Sequence, residues 1–162
     1  MNVRPDELFW LYSATKVFTA TMFCRLLEQG KLRLDERVSD YIPEFADLTV
    51  MQPDGTLRKA AKEMTLLQLI TMCSGLTYDI FNPVIRDAKD RTTVGIVREM
   101  AKMPLADDPG ETYLYSLSHD VLAAVMELRT GKRYADLLRD EIILPLGMQN
   151  TGFHPTEAQK AR

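Results

Sequence analysis

Apolar residues in this chain recur mostly at helical spacing, and at one place they simply accumulate. Residues 17–27 carry Val17, Phe18, Ala20, Met22, Phe23, Cys24, Leu26 and Leu27, which leaves no polar face of useful width. A helix that is apolar all round belongs inside a protein. The pattern predicts a buried helix over 14–29, with Gly30 in the stop position. A turn at Pro5, Asp6 and Glu7 and an extended lead-in over 8–12 precede it, and a short helix over 37–42 follows, closed by Pro43. Leu66, Leu69, Ile70 and Cys73 then recur at helix spacing behind Thr65, a suitable N-cap, and Ser74-Gly75-Leu76 ends that run. Val94, Val97, Met100 and Ala101 form a stripe within one or two helices over 84–103, stopped by Pro104. Leu122 to Leu128 belong to a helix that starts near Ser118 or His119 and ends at Gly131. A last helix is expected over 134–143, ended by Pro145, and the polar residues 154–162 read as frayed. The one β signal is Asp54-Gly55 between short extended pieces over 50–58, which Pro53 limits to an edge or loop hairpin. There is no internal repeat. The expected architecture is mainly α with at most a small β-hairpin, in a single domain over 1–162.

Composition narrows this picture without redirecting it. The chain has 162 residues, 46% of them apolar, enough for one core. A net charge of −3 with scattered basic residues gives no case for binding nucleic acid or an anionic membrane surface. No run reaches the ~18–20 apolar residues of a membrane span. The two cysteines, Cys24 and Cys73, both sit in apolar runs and read as buried free thiols rather than a disulfide. His119 and His154 have no cysteine or carboxylate at ligand spacing, so neither a metal nor another cofactor is expected. The start of the chain does not read as a signal peptide, so the default location is cytoplasmic.

Candidate chemistry begins at Ser13-Ala14-Thr15-Lys16, the only Ser-x-x-Lys in the chain. Helical positions three apart share a face, so Ser13 and Lys16 point the same way. A serine hydroxyl is a weak nucleophile until a base takes its proton, and a lysine surrounded by apolar residues is suited to be that base. The first turn's unpaired N–H groups and the helix dipole also favour an oxyanion there. Four residues are also what a plain serine N-cap with a lysine one turn on would show. The longer context points elsewhere. Ser-x-x-Lys, the apolar helix, Glu28-Gln29-Gly30-Lys31-Leu32, Tyr41-Ile42-Pro43, Ser74-Gly75-Leu76 and Pro145-Leu146-Gly147-Met148 follow in order. Together they resemble the serine β-lactamase and penicillin-binding-protein superfamily, above all the class C branch and the family VIII esterases.

The resemblance implies further roles. Ser13 is the nucleophile, Lys16 the general base, and Tyr115 the partner that shuttles the proton to the leaving group. Family members carry Tyr-x-Asn at this last point; here Leu117 stands in the substrate-binding position of the asparagine. That departure favours esters over β-lactams among small-molecule ester, amide or β-lactam substrates. The family's third motif, Lys-Thr-Gly or His-x-Gly, does not follow residue 115. The chain therefore reads as the helical region of the β-lactamase/transpeptidase-like fold, a fragment or truncated product without most of the antiparallel sheet. Exposed apolar helix faces then imply self-association or a second polypeptide that supplies the sheet. Relatives are often exported, which implies an exported location if a segment precedes Met1. The rival reading is a non-catalytic helical module that serves partner binding or self-assembly.

Overall fold

The computed structural model describes residues 7–160. A 3₁₀ turn, Tyr12–Ala14, leads into α1 (Thr15–Glu28). Two further 3₁₀ turns, Val38–Asp40 and Pro43–Ala46, precede a hairpin of β1 (Thr49–Met51) and β2 (Leu57–Lys59). Six helices follow: α2 (Leu66–Ile70), α3 (Pro83–Arg86), α4 (Thr93–Met100), α5 (Ser118–Thr130), α6 (Tyr134–Leu138) and α7 (Glu157–Lys160). A π-helical turn, Arg139–Ile143, continues α6. The antiparallel pair has Val50 opposite Arg58, and it is the only sheet among the described residues. The architecture is thus mainly α with one small hairpin.

Local signals place most boundaries. Gly55 turns the hairpin at φ +82. Gln68 accepts a hydrogen bond from the Thr65 N–H at 2.6 Å, one half of a capping box at the start of α2. Gly131 ends α5 in the left-handed region, where a side chain would cost strain. The α4 stripe is buried through Val97 and Met100, with Val94 and Ala101 packed against the core. Other boundaries differ from expectation. Pro43 does not simply close a helix; it opens a second 3₁₀ turn, because proline suits a first helical position. α2 stops at Ile70 rather than running to Cys73, and Met72 adopts φ +57. The end expected to fray carries the short helix α7. The turn expected at Pro5 and Asp6 lies outside the described residues.

The most enclosed helix is α5, not α1. Eight residues of α5 are buried, including Val121, Leu122, Val125 and Met126. It packs against α1, α2, α4 and α6. Phe23, Met22 and Leu26 from α1, Leu66 and Leu69 from α2 and Met100 from α4 close the core around it. Burying each such side chain contributes roughly 1.5–3 kcal/mol. α1 itself buries only one face, through Thr19, Met22, Phe23 and Leu26. Its other face corrects the expectation of a fully enclosed helix: Val17 is 68% exposed, and Thr21 and Cys24 are exposed too. That face forms one wall of an open groove of about 700 Å³, with Ile142, Pro145 and Leu146 opposite. The cysteines are free, as expected, but Cys24 is exposed and Cys73 half-buried. Among the described residues, no helix is long and apolar enough to cross a membrane.

Candidate active site

Ser13 lies in the 3₁₀ turn, directly after Tyr12, whose φ of +45 is unusual for a side chain of that size. Strained backbone of this kind persists only where its surroundings hold it, and it clusters at functional sites. The turn runs without a break into α1, so Lys16, on the first turn of the helix, shares its side with Ser13.

Tyr115 reaches the same place from a hundred residues away, and several contacts hold its loop. The Leu114 N–H donates at 2.9 Å to the carbonyl of Met72, which with Tyr12 is one of the two non-glycine residues at positive φ among those described. Behind the loop lies a chain of three fully buried hydroxyls. Ser118 shares a 2.7 Å hydrogen bond with Ser74 and another with Ser116. Ser74 also accepts from the Leu76 N–H. Because buried polar groups are costly unless paired, this chain fastens the Ser74-Gly75-Leu76 segment to the start of α5 in one arrangement.

The three predicted groups converge. The Tyr115 phenol interacts with the Lys16 amine and then with the Ser13 hydroxyl, and both hold its pKa below the usual 10.0. Lys16 Nζ stands 4.8 Å from the centre of the Tyr115 ring. A fourth side chain, Tyr78, completes the arrangement. Its ring lies 5.1 Å from that of Tyr115 and 5.5 Å from Lys16 Nζ. The amine therefore sits beside two adjoining aromatic rings, a geometry that attracts a cation. Asp120, on the first turn of α5, reaches solvent yet is hemmed in on its protein side. Burial pushes its carboxyl above the usual 3.8, and Lys16 pulls it part of the way back. Deeper in, the Tyr134 hydroxyl shares a 2.5 Å hydrogen bond with Thr19, and burial pushes its pKa up to about 12.

Leu117 is not at this cluster. Its side chain is 7% exposed and packs in the core, while its N–H approaches the Thr77 carbonyl at 3.4 Å. An apolar side chain at the first residues of a buried helix gains most by turning inward. Tyr78 had only a weak signal in the sequence, an aromatic three residues after the Gly75 turn. Among the described residues, no group of three or more His, Cys, Asp or Glu side chains could hold a metal ion.

Comparison with known proteins places the chain in a family. The β-lactamase family model matches residues 1–162. The chain belongs to the β-lactamase family. Esterase EstB of Burkholderia gladioli is 33% identical over 98% of the chain and 41% of its own length. Penicillin-binding protein 4 of Amycolatopsis lactamdurans is 30% identical over 99% of the chain and 40% of its own length. The structure of a β-lactamase/D-alanine carboxypeptidase from Yersinia pestis, complexed with citrate, superposes with a TM-score of 0.75 at 29% identity. That match covers 98% of the chain and 44% of the Yersinia protein. The chain thus spans about two-fifths of the length of the curated relatives it matches, and it is a mainly α portion of the β-lactamase-like fold. These relatives give no support to the reading of a non-catalytic module.

Proposed function

We propose that this part of the β-lactamase family fold supplies the nucleophile and the proton-transfer pair of a serine acyl hydrolase or acyltransferase. The supporting observation is the meeting of Ser13, Lys16 and Tyr115, with the phenol in contact with both other groups. In this reading the Ser13 hydroxyl attacks the carbonyl carbon of an ester or amide. Its proton passes to the Lys16–Tyr115 pair as the tetrahedral intermediate forms. The intermediate then collapses, the C–O or C–N bond to the leaving group breaks, and Tyr115 returns the proton to the departing oxygen or nitrogen. An acyl-serine remains, and water or an alcohol releases it by the same steps in reverse. Proton transfer by such positioned groups is worth about 10²–10⁴ in rate.

Esters are the preferred substrate class in this reading. The position that would carry an asparagine amide toward the substrate carries Leu117, turned into the core. No side-chain amide is then offered there to a peptide or β-lactam.

The experiment is labelling of the full chain with a fluorophosphonate, which reacts with activated serines, followed by peptide mapping. Label on Ser13, its absence in Ser13→Ala and a roughly 10²-fold slower reaction in Tyr115→Phe are expected. Label spread over other serines, or equal labelling of Ser13→Ala, would overturn the proposal.

A further inference from the structure

Met72 holds both chain neighbours of Tyr115. Its carbonyl accepts the Leu114 N–H at 2.9 Å, and its sulfur accepts from the Ser116 hydroxyl at 3.7 Å. The proton-transfer scheme gives Met72 no part.

The end of α2 explains the first contact. It closes in a Schellman motif: the Cys73 N–H donates to the Gln68 carbonyl at 2.8 Å, and the Met72 N–H to the Leu69 carbonyl at 3.2 Å. Met72 occupies the left-handed position of that motif, at φ +57, where glycine is usual and a side chain is strained. From there the main chain serves the loop that carries Tyr115. Met72 accepts from Leu114, Cys73 from Gly110 at 2.7 Å, and Gly75 from Ala106 at 2.8 Å. A glycine would make the same turn and offer the same carbonyl with less strain. What the methionine adds is its side chain, which is 7% exposed.

The protons of the buried hydroxyls indicate what that side chain contributes. Ser74, Ser118 and Ser116 carry three hydroxyl protons but share only two hydrogen bonds. Ser74 also accepts from the Leu76 N–H, and Ser116 from the Ser118 N–H. When Ser116 donates to the Met72 sulfur, Ser118 donates to Ser116 and Ser74 to Ser118, so each proton has an acceptor. With a hydrocarbon at position 72, one of the three protons is buried without an acceptor among the described residues, which is costly. The sulfur thus sets the direction of the chain and pins Ser116. We infer that Met72 is a positioning residue, a two-point clamp whose carbonyl and sulfur grip residues 114 and 116 and so set the approach of the Tyr115 phenol to Lys16 and Ser13. The inference rests on reading Lys16 and Tyr115 as a proton-transfer pair.

A double-mutant cycle separates this role from simple space filling. Met72→Leu keeps the volume and removes the sulfur. Met72→Ala takes its place if that variant does not fold by circular dichroism. Each is made alone and together with Ser116→Ala. The first readout needs no catalysis: ionisation of the Tyr115 phenol, followed by difference absorbance against Tyr115→Phe made in each background. The second is the rate and affinity of fluorophosphonate labelling at Ser13. Met72→Leu should move the phenol's midpoint upward, toward the ordinary tyrosine value, and slow the maximal labelling rate about tenfold at unchanged affinity. In the Ser116→Ala background the sulfur has no donor to grip, and Met72→Leu should change the rate by less than about twofold. An unmoved phenol titration in Met72→Leu, or the same loss of rate with and without the Ser116 hydroxyl, would overturn the inference. If wild-type Ser13 takes no label, the hydrolase reading fails by itself, and the phenol titration alone decides whether Met72 positions Tyr115.

Discussion

Gly75→Ala tests the packing that carries the Tyr115 loop. Gly75 sits at φ +79, and a Cβ built there falls 2.1 Å from the carbonyl oxygen of Asp107. Contacts of 3.0–3.4 Å are already tight, so the Asp107 backbone would have to withdraw by roughly 1 Å. Its surroundings oppose that. The Ala106 N–H donates to the Gly75 carbonyl at 2.8 Å, and the Gly110 N–H donates to Cys73 at 2.7 Å. Leu105 exchanges backbone hydrogen bonds with Thr49 and Met51 of β1. Asp108 accepts two hydrogen bonds from Arg58, at 3.0 and 2.7 Å, and a third from the Ala61 N–H. Left-handed strain costs about 1–2 kcal/mol, and one or two broken hydrogen bonds about 1 kcal/mol each, so the variant should lose roughly 3 kcal/mol. For a chain of this size that is a fall in Tm of roughly 6–12 °C. Gly131→Ala is the control. It has a similar φ, +69, but nothing within 4 Å of the built Cβ, so only the strain of about 1 kcal/mol remains. Urea and thermal melts followed by far-UV circular dichroism give both numbers. A Gly75→Ala variant no less stable than Gly131→Ala would refute the close approach to Asp107 and the rigidity inferred for that segment.

Three further outcomes are expected. Ser118→Ala removes the middle of the buried hydroxyl chain and leaves Ser74 and Ser116 each short of a partner. It should cost about 1–3 kcal/mol in urea melts, as should Ser116→Ala, which removes the partner of the Ser118 hydroxyl and the acceptor of the Ser118 N–H. The pKa of His119 is lowered in the folded state, so the unfolded chain takes up the proton first as the pH falls below 6.5. Stability from this group is therefore complete above 6.5 and is lost progressively as the pH drops toward the folded pKa; His119→Gln should show a flatter profile between about pH 7.5 and 5 in the same melts. Tyr78→Leu removes the ring that adjoins Tyr115 beside Lys16. It should slow fluorophosphonate labelling of Ser13 by about threefold to tenfold while leaving Tm within about 2 °C, since the ring is half-exposed.

At several boundaries a neighbour in the chain sets the conformation, and there the residues alone were sufficient. Asp54-Gly55 specified the hairpin, Gly131 the end of α5, and the spacing of Val97 and Met100 the inner side of α4. The three groups Ser13, Lys16 and Tyr115 were legible because their motifs are short and ordered, and the structure brings them together. The orientation of α1 was not legible. It is apolar around most of its girth, so no periodicity distinguishes the buried side of Phe23 and Met22 from the exposed side of Val17 and Cys24. Only the position of α5 decides between them. The same holds for Leu117, Tyr78 and His119. Whether a side chain faces the site, the core or solvent depends on which distant segment packs beside it, and that contact is formed by the fold as a whole rather than by any stretch of sequence.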